Sequence, residues 1–390
     1  WAEALRVELI IHDRRVIPLI PPERYSTAWL RDYQQEALAA TQVHARGLIN
    51  HPTGTGKGEI VAALYAQRPV PTIVIVPNEP LLAQITRTFR ARVGVDATTY
   101  GGGFHDISNL TVCTYQALNA ATRFPWERFQ QVIFDEAHGA ASATCCATLN
   151  KLTNAYWRYG LGATNLLRAD QKHYYVIAAF GPVIHQIKFS EAVTTLKAIA
   201  QPQLIYLPYQ HTHTPGSASD WVELYKNMIV RNAARNAAAV AAAATAPRPC
   251  MVFTQSVDHA GAIAAALSQR GLRVALATGQ TRATNKQALE QTARRELDIL
   301  VCTDVFKQGV DVPAVASMMN LAGGKAPIPV IQKVGRAARR YAADGTEIKA
   351  EFPVFDMADM GCGNAQCGHA DCFMLVSHFN ERVSHYGKLR

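Results

Sequence analysis

Short apolar runs of strand length recur along this chain, separated by segments whose apolar residues fall at helical spacing. Gly47 to Ile49, Thr72 to Val76, Thr111 to Tyr115, Gln131 to Phe134 and Tyr159 to Thr164 form a first series. They are rich in β-branched and aromatic residues and show little alternation, the pattern of strands buried on both faces of a parallel sheet. Around them, Tyr33, Ala37 and Leu38 suit one helix, Glu59 to Gln67 a second, and Leu81, Leu82, Ile85 and Phe89 one face of a third.

The rhythm breaks over 171–230, where His173, His185, His211 and His213 accompany scattered prolines and weak periodicity. No strand is predicted there, and His211-Thr212-His213 reads as a solvated loop rather than half a metal site, since no third ligand lies close. An alanine-rich helix, Asn232 to Ala244, closes at Pro247 and Pro249. Strand and helix then alternate again: Cys250 to Phe253, Ala260 to Arg270 ended by Gly271, Val274 to Ala277, Asn285 to Arg295, Ile299 to Cys302, Ala314 to Asn320 and Pro353 to Asp356. Two successive alternations predict an α/β protein of two tandem parallel-sheet domains, at 28–195 and 196–390. Residues 1–27 carry Val7, Leu9 and Ile11 in alternation, then Pro18, Pro21 and Pro22. They read as a short strand or hairpin and a linker, and as an N-terminal extension that could be the tail of an upstream domain.

Composition narrows the class. Apolar residues make up 49% and charged residues 18% of the 390, a globular and well-buried balance. Lys and Arg outnumber Asp and Glu by 39 to 30, which leans toward a polyanionic partner. No apolar run approaches the length of a membrane span. The 8 cysteines are too few for a disulfide framework in a chain this long. Cys113, Cys145 and Cys146 sit in apolar surroundings and read as reduced thiols, hence an intracellular, reducing, cytosolic location.

Chemistry concentrates at strand ends. The run His51-Pro52-Thr53-Gly54-Thr55-Gly56-Lys57-Gly58 follows one strand and opens a helix. Glycines there let successive N–H groups face one anion, the helix dipole adds positive charge, and Lys57 can reach β- and γ-phosphates. Upstream, Gln34 in the stretch Leu30 to Leu38 has an amide able to read adenine, though the stretch also suits an ordinary amphipathic helix. The strand Gln131 to Phe134 ends in Asp135-Glu136-Ala137-His138. Two carboxylates at the end of a buried strand are costly unless they bind something. Beside a phosphate loop, Asp135 would hold Mg²⁺ through water and Glu136 would polarise the attacking water. Farther on, Arg336 and Arg339 share one helical face and would be relieved by an anion such as a γ-phosphate; a solvated basic face is the equal alternative. In the loop 361–372, Cys362, Cys367, His369 and Cys372 are either four Zn²⁺ ligands or reduced thiols on a surface loop.

In this order the motifs resemble the superfamily 2 helicases and translocases of the DEAH/DExH type, in the XPB-like, phage UvsW-like and type III restriction helicase-like branch. The resemblance covers about 28–390. It implies two RecA-like domains with an ATP cleft between them, Mg²⁺ as cofactor, and nucleic acid, DNA more than RNA, as partner. Arg31 and Gln34 match the adenine-reading motif, and Thr53 to Gly58 the phosphate loop. Asp135 to His138 match motif II, with His138 among the catalytic residues. Gly162-Ala163-Thr164 stands where the family has Ser-Ala-Thr, which couples hydrolysis to motion. Thr303, Gly309 and Asp311 match motif V, and Gln332, Gly335, Arg336 and Arg339 match motif VI. Pro77 and Asn78, Thr114-Tyr115-Gln116, and Thr254-Gln255 match the strand-contacting segments. Alternating grip on the phosphate backbone implies little sequence preference.

Departures from the pattern also stand in the sequence. Gly58 replaces the Ser or Thr whose hydroxyl binds Mg²⁺, Gly162 replaces Ser, and Asn165 stands where Pro usually follows. These leave open a hydrolysis-impaired nucleic-acid-binding module, or the motor subunit of a restriction or defence complex. A protein partner could dock through the N-terminal extension or the C-terminal loop.

Overall fold

The computed structural model describes residues 16–22, 24–163, 173–211, 221–303, 314–324, 334, 338, 340, 346–362 and 370–387. The chain divides into two compact units, one of residues up to Ile49 with Gly58–His185, the other of Asn50–Lys57 with Gln186 onward. Among the described residues no helix is long and apolar enough to cross a membrane.

The first sheet contains β1 (Arg46–Asn50), β2 (Thr72–Val76), β3 (Thr98–Gly101), β4 (Phe104–His105), β5 (Leu110–Thr114), β6 (Gln131–Asp135), β7 (Trp157–Gly162) and β8 (Val183–Gln186). Their order is β4-β3-β5-β2-β6-β7-β1-β8. Parallel pairing sets Val76 opposite Thr114 and Asp135 opposite Leu161, so the ends that carry the motifs share one edge. Alternate residues feed opposite faces. Val74, Val76, Ile133 and Leu161 join Ile60, Leu64, Ile85 and Phe89 in one core. Ile73, Ile75, Val132 and Phe134 join Leu48, Ala137, Leu149 and Phe180 in the other. Burial on both faces is why these runs are uniformly apolar rather than alternating.

Gly160 in β7 is a tight point of this packing, closed on three sides. A Cβ there would lie 2.7 Å from Leu48 Cδ2, 2.8 Å from Ala137 Cβ and 3.0 Å from Phe180 Cδ2. Gly160→Ala is therefore expected to destabilise the protein by about 1–3 kcal/mol through overpacking, read as a lower urea midpoint.

The second sheet contains β9 (Gln201–Tyr209), β10 (Cys250–Phe253), β11 (Val274–Ala277), β12 (Ile299–Cys302), β13 (Ser317–Asn320) and β14 (Glu351–Asp359), in the order β11-β12-β10-β13-β14-β9. Each neighbouring pair in this order is parallel. β8 and β9 correct the expectation of no strand over 171–230: β8 closes one end of the first sheet beside β1, and β9 pairs with β14 along its whole length, from Gln201↔Glu351 to Tyr209↔Asp359. β9 lies at the sheet edge, where Pro202 and Pro208 are tolerated and one side stays wet. β14 is longer than predicted, and β13 begins at Ser317 rather than Ala314.

A buried ionic network ties the last helix, Ala370–Gly387, to this sheet. Arg382, 1% exposed, donates to Asp356 from Nη2 at 2.9 Å and Nε at 3.1 Å, and to the Gly323 carbonyl at 2.8 Å. Asn320 Nδ2 and the Tyr386 hydroxyl donate to Asp356 Oδ2 at 2.8 and 2.5 Å. Three residues on, Asp359 accepts from Arg235 Nε at 2.7 Å and from His211 Nε2 at 2.9 Å. Burial opposes its charge, yet Arg235 and His211 hold the Asp359 carboxyl well below the usual carboxylate range. His211 is thus a buried structural residue, not part of a solvated loop; its partner lies 148 residues away in sequence. His213 lies outside the described residues.

His259 is also buried, and its Nε2 donates to Asn236 Oδ1 at 3.0 Å. Burial, aided by the nearby Arg235 charge, pushes its pKa down to about 4. A folded-state pKa below the unfolded value means that the unfolded chain takes up the proton first as pH falls. Stability is full above about pH 6.5 and declines toward pH 4, by a total on the order of 3 kcal/mol from this group. His259→Gln, which can keep a donor to Asn236, should flatten that part of the stability profile measured by urea unfolding between pH 7 and 4.5.

Candidate nucleotide site

β1 delivers the chain to the glycine loop at the carboxyl edge of the first sheet. Gly54 and Gly56 adopt φ of 95° and 78°, the left-handed region in which side chains are strained. Thr55 Oγ1 donates to the Pro52 carbonyl at 2.7 Å and fixes the curl of the loop. Lys57 opens the helix Lys57–Gln67 and folds its Nζ back over the loop to the His51 carbonyl at 3.3 Å. Backbone N–H groups, a helix start and an ammonium thus converge on one loop, a donor set that fits a phosphate chain.

Gly58 follows inside the helix. Among the described residues outside its own helix turn, a Cβ there would meet the Ile85 Cδ1 methyl, at 3.3 Å, and no other atom within 4 Å. A terminal methyl can give by a few tenths of an ångström, so the backbone accepts the hydroxyl residue that the motif usually has. Gly58→Thr should fold normally and hold MgATP as tightly as the natural protein or a few-fold more tightly, measured by titration calorimetry with a slowly hydrolysed analogue.

Two strands away, β6 ends in the carboxylates. Asp135 and Glu136 are each 6% exposed. Asp135 Oδ1 accepts the Glu136 N–H at 3.0 Å, which aims the backbone into a sharp turn. Glu136 itself sits at φ 55°, ψ 55°. A non-glycine residue in that region costs about 1–2 kcal/mol, and such strain collects at functional sites. The turn continues as the 3₁₀ segment Ala137–Ala141, with Gly139 N–H donating to the Glu136 carbonyl at 2.9 Å. His138 Nδ1 lies 3.4 Å from Glu136 Oε2, an imidazole against the buried carboxylate. Ala137 packs at Gly160, so this turn rests directly on β7. The carboxylate pair suits a hydrated Mg²⁺ and an attacking water.

The other expected residues divide by place. Gln34 is buried, and its Oε1 accepts the Arg31 N–H at 3.0 Å, closing the start of the helix Asp32–Val43. Asn78, just after Pro77, caps the helix Glu79–Val93 by accepting the Leu81 N–H at 3.1 Å. Thr114 caps the helix Tyr115–Ala120 through the Ala117 N–H at 3.3 Å. Tyr115 stacks on Phe134, centroids 6.4 Å apart, and Gln116 is exposed. Pro77, Asn78 and Thr114 to Gln116 therefore follow the carboxyl ends of two paired strands, β2 and β5. Gly162 ends β7 and Ala163 follows it. In the second unit, Thr254 follows β10 and donates to the Ser256 carbonyl at 3.1 Å, Gln255 is exposed, and Thr303 follows β12. Thr53 lies in the glycine loop. Thr164, Gly309, Asp311, Gln332, Gly335, Arg336, Arg339, Cys367 and His369 lie outside the described residues.

Of the four candidate Zn²⁺ ligands, Cys362 and Cys372 are described, and Cys362 N–H donates to Cys372 Sγ at 3.2 Å. Among the described residues no group of three or more His, Cys, Asp or Glu could hold a metal ion. The sequence reading missed Gly160, whose only signal is a glycine within a buried strand, and it missed the role of Arg382 against Asp356.

Known proteins bear on this geometry. Residues 28–166 match the family "Type III restriction enzyme, res subunit", and residues 235–341 match "Helicase conserved C-terminal domain". With both domains in this order on two parallel α/β sheets, the chain belongs to the superfamily 2 helicases and translocases. It is 30% identical over 187 residues to the DNA 3'-5' translocase XPB2 of Sulfurisphaera tokodaii, covering 48% of this chain and 41% of that protein. It is 22% identical over 384 residues to the ATP-dependent DNA helicase uvsW of Enterobacteria phage T4, covering 91% and 74%. In fold it is similar to S. cerevisiae Dbp5 bound to RNA and ADP BeF3, with a TM-score of 0.61 over 92% of this chain and 93% of that one at 14% identity. The chain thus spans less than half the length of the XPB2 relative.

Proposed function

We propose that this protein is an ATP-driven DNA helicase or translocase, with 28–195 and 196–390 as its two RecA-like domains. The observation that carries the reading is the placement of the Lys57 loop and the strained Asp135-Glu136 turn at the same edge of one sheet. The loop N–H groups and Lys57 bind the phosphates. Glu136 orients a water in line with the γ-phosphorus and takes its proton as the new P–O bond forms and the bond to the β–γ bridging oxygen breaks. Asp135 would hold Mg²⁺ through water, and Mg²⁺ supplies charge neutralisation on the phosphates. In this reading Arg31 and Gln34 hold the adenine, and Gly309, Asp311, Gln332, Arg336 and Arg339 answer the γ-phosphate from the second domain. Pro77, Asn78, Thr114 to Gln116, Thr254, Gln255 and Thr303 grip the phosphate backbone, and Gly162 to Thr164 couple hydrolysis to that grip. DNA is preferred over RNA because the XPB2 and uvsW relatives are named as acting on DNA.

Gly58, lacking a metal-binding hydroxyl, favours a second reading: a binding module that has lost hydrolysis. Strand displacement separates the two. With MgATP, the natural protein should displace a third strand from a triplex or a labelled strand from a tailed duplex, and Lys57→Ala should not. DNA binding with no displacement and no ATP turnover would overturn the motor in favour of the binding module.

A further inference from the structure

The turn that joins β3 to β4 has no part in the reading above, yet it is built with care. Gly101, Gly102 and Gly103 all have positive φ, 133°, 62° and 90°, so no other residue type fits the run without strain. A Cβ on Gly101 would lie 2.8 Å from Thr114 Oγ1, and one on Gly102 would lie 3.4 Å from the Glu79 carboxyl carbon. The turn is therefore wedged between the starts of the two helices that carry the proposed strand-contacting residues Asn78 and Thr114. Behind it, the Tyr100 ring meets His105 at 5.2 Å and Phe124 at 5.1 Å, and Phe124 stacks on buried Phe129 at 5.7 Å. The antiparallel pairs Tyr100↔His105 and Gly101↔Phe104 complete a rooted hairpin. At its tip Phe104 is 59% exposed and belongs to neither core of the first sheet.

We propose that Phe104 is a stacking residue for an unpaired base of single-stranded nucleic acid crossing the carboxyl edge of the first sheet. The inference rests on the nucleic-acid reading above and names the form of strand that this edge takes. A rigid hairpin presents the ring at little entropic cost. An aromatic face accepts any base, in keeping with a motor that reads no sequence. The Glu79 carboxylate beside Gly102 disfavours a phosphate at the tip, which leaves the tip to a base. In a duplex both faces of each base are already stacked, so the contact forms only where the strand is open.

Fluorescence anisotropy with a labelled oligo(dT) and with a blunt duplex of equal length tests this on the full chain. Phe104→Ala should weaken oligo(dT) binding roughly tenfold and leave duplex binding unchanged. Phe104→Trp should retain the affinity, and Phe104→Leu, apolar but not aromatic, should lose it as Ala does. The ring is exposed, so none of these changes should alter the melting temperature. Wild-type affinity for oligo(dT) in Phe104→Ala, or equal losses on both DNAs, overturns the stacking role while leaving the motor reading intact. Binding of neither DNA by the natural protein overturns both.

Discussion

Glu136→Gln is expected to lower ATP turnover at saturating MgATP and DNA by a factor of about 10²–10⁴, the usual contribution of a general base. The amide keeps the size and shape of the carboxylate, so the turn that begins at Asp135 survives. It cannot accept a proton, so the step it removes is the activation of water. The KM for ATP should move little, because the proposed site holds the phosphates through the loop and Lys57 rather than through Glu136. Lys57→Ala should differ by weakening ATP binding itself as well as abolishing turnover. Glu136→Gly makes a sharper case. Glycine relieves the left-handed strain at φ 55°, so this variant should be as stable as the natural protein, or more stable by up to about 1 kcal/mol, while being as inactive as Gln. Steady-state phosphate release and urea unfolding on the same samples check both halves.

The largest effect on stability is expected at Arg382, far from the nucleotide loop in sequence. Arg382→Met leaves Asp356 buried, 1% exposed, without its cation. Removing one partner of a buried pair costs about 3–5 kcal/mol, because the other charge stays desolvated. Replacing Tyr386 by Phe removes one hydrogen bond to the same carboxylate and should cost only about 1 kcal/mol, with Asn320 and Arg382 still in place. A urea unfolding series that ranks natural protein, Tyr386→Phe and Arg382→Met in that order supports the network. Equal midpoints for the first and last would contradict it.

How much of this was legible in the sequence depends on how local each feature is. The Lys57 loop and the Asp135 turn are contiguous motifs at the ends of uniformly apolar strands, so their place at one sheet edge could be read from order alone. β9 could not. It is an edge strand with half-buried residues and two prolines, and its pairing with β14 spans some 150 residues of sequence. His211 was misread for the same reason, since its partner Asp359 is invisible to any local pattern. β3 and β4 were missed because Thr98 and Thr99 are only half-buried and three glycines follow. Gly160 carried no periodic signal either; its meaning comes from Leu48, Ala137 and Phe180, which converge on it from three other segments.

The most direct test of the central claim is phosphate release from MgATP, measured with and without single-stranded DNA. The natural protein should turn over ATP faster by at least an order of magnitude when DNA is present, and both rates should vanish in Lys57→Ala. Turnover that ignores DNA, or that is the same in the natural protein and Lys57→Ala, would contradict the assignment of this loop to a nucleic-acid motor.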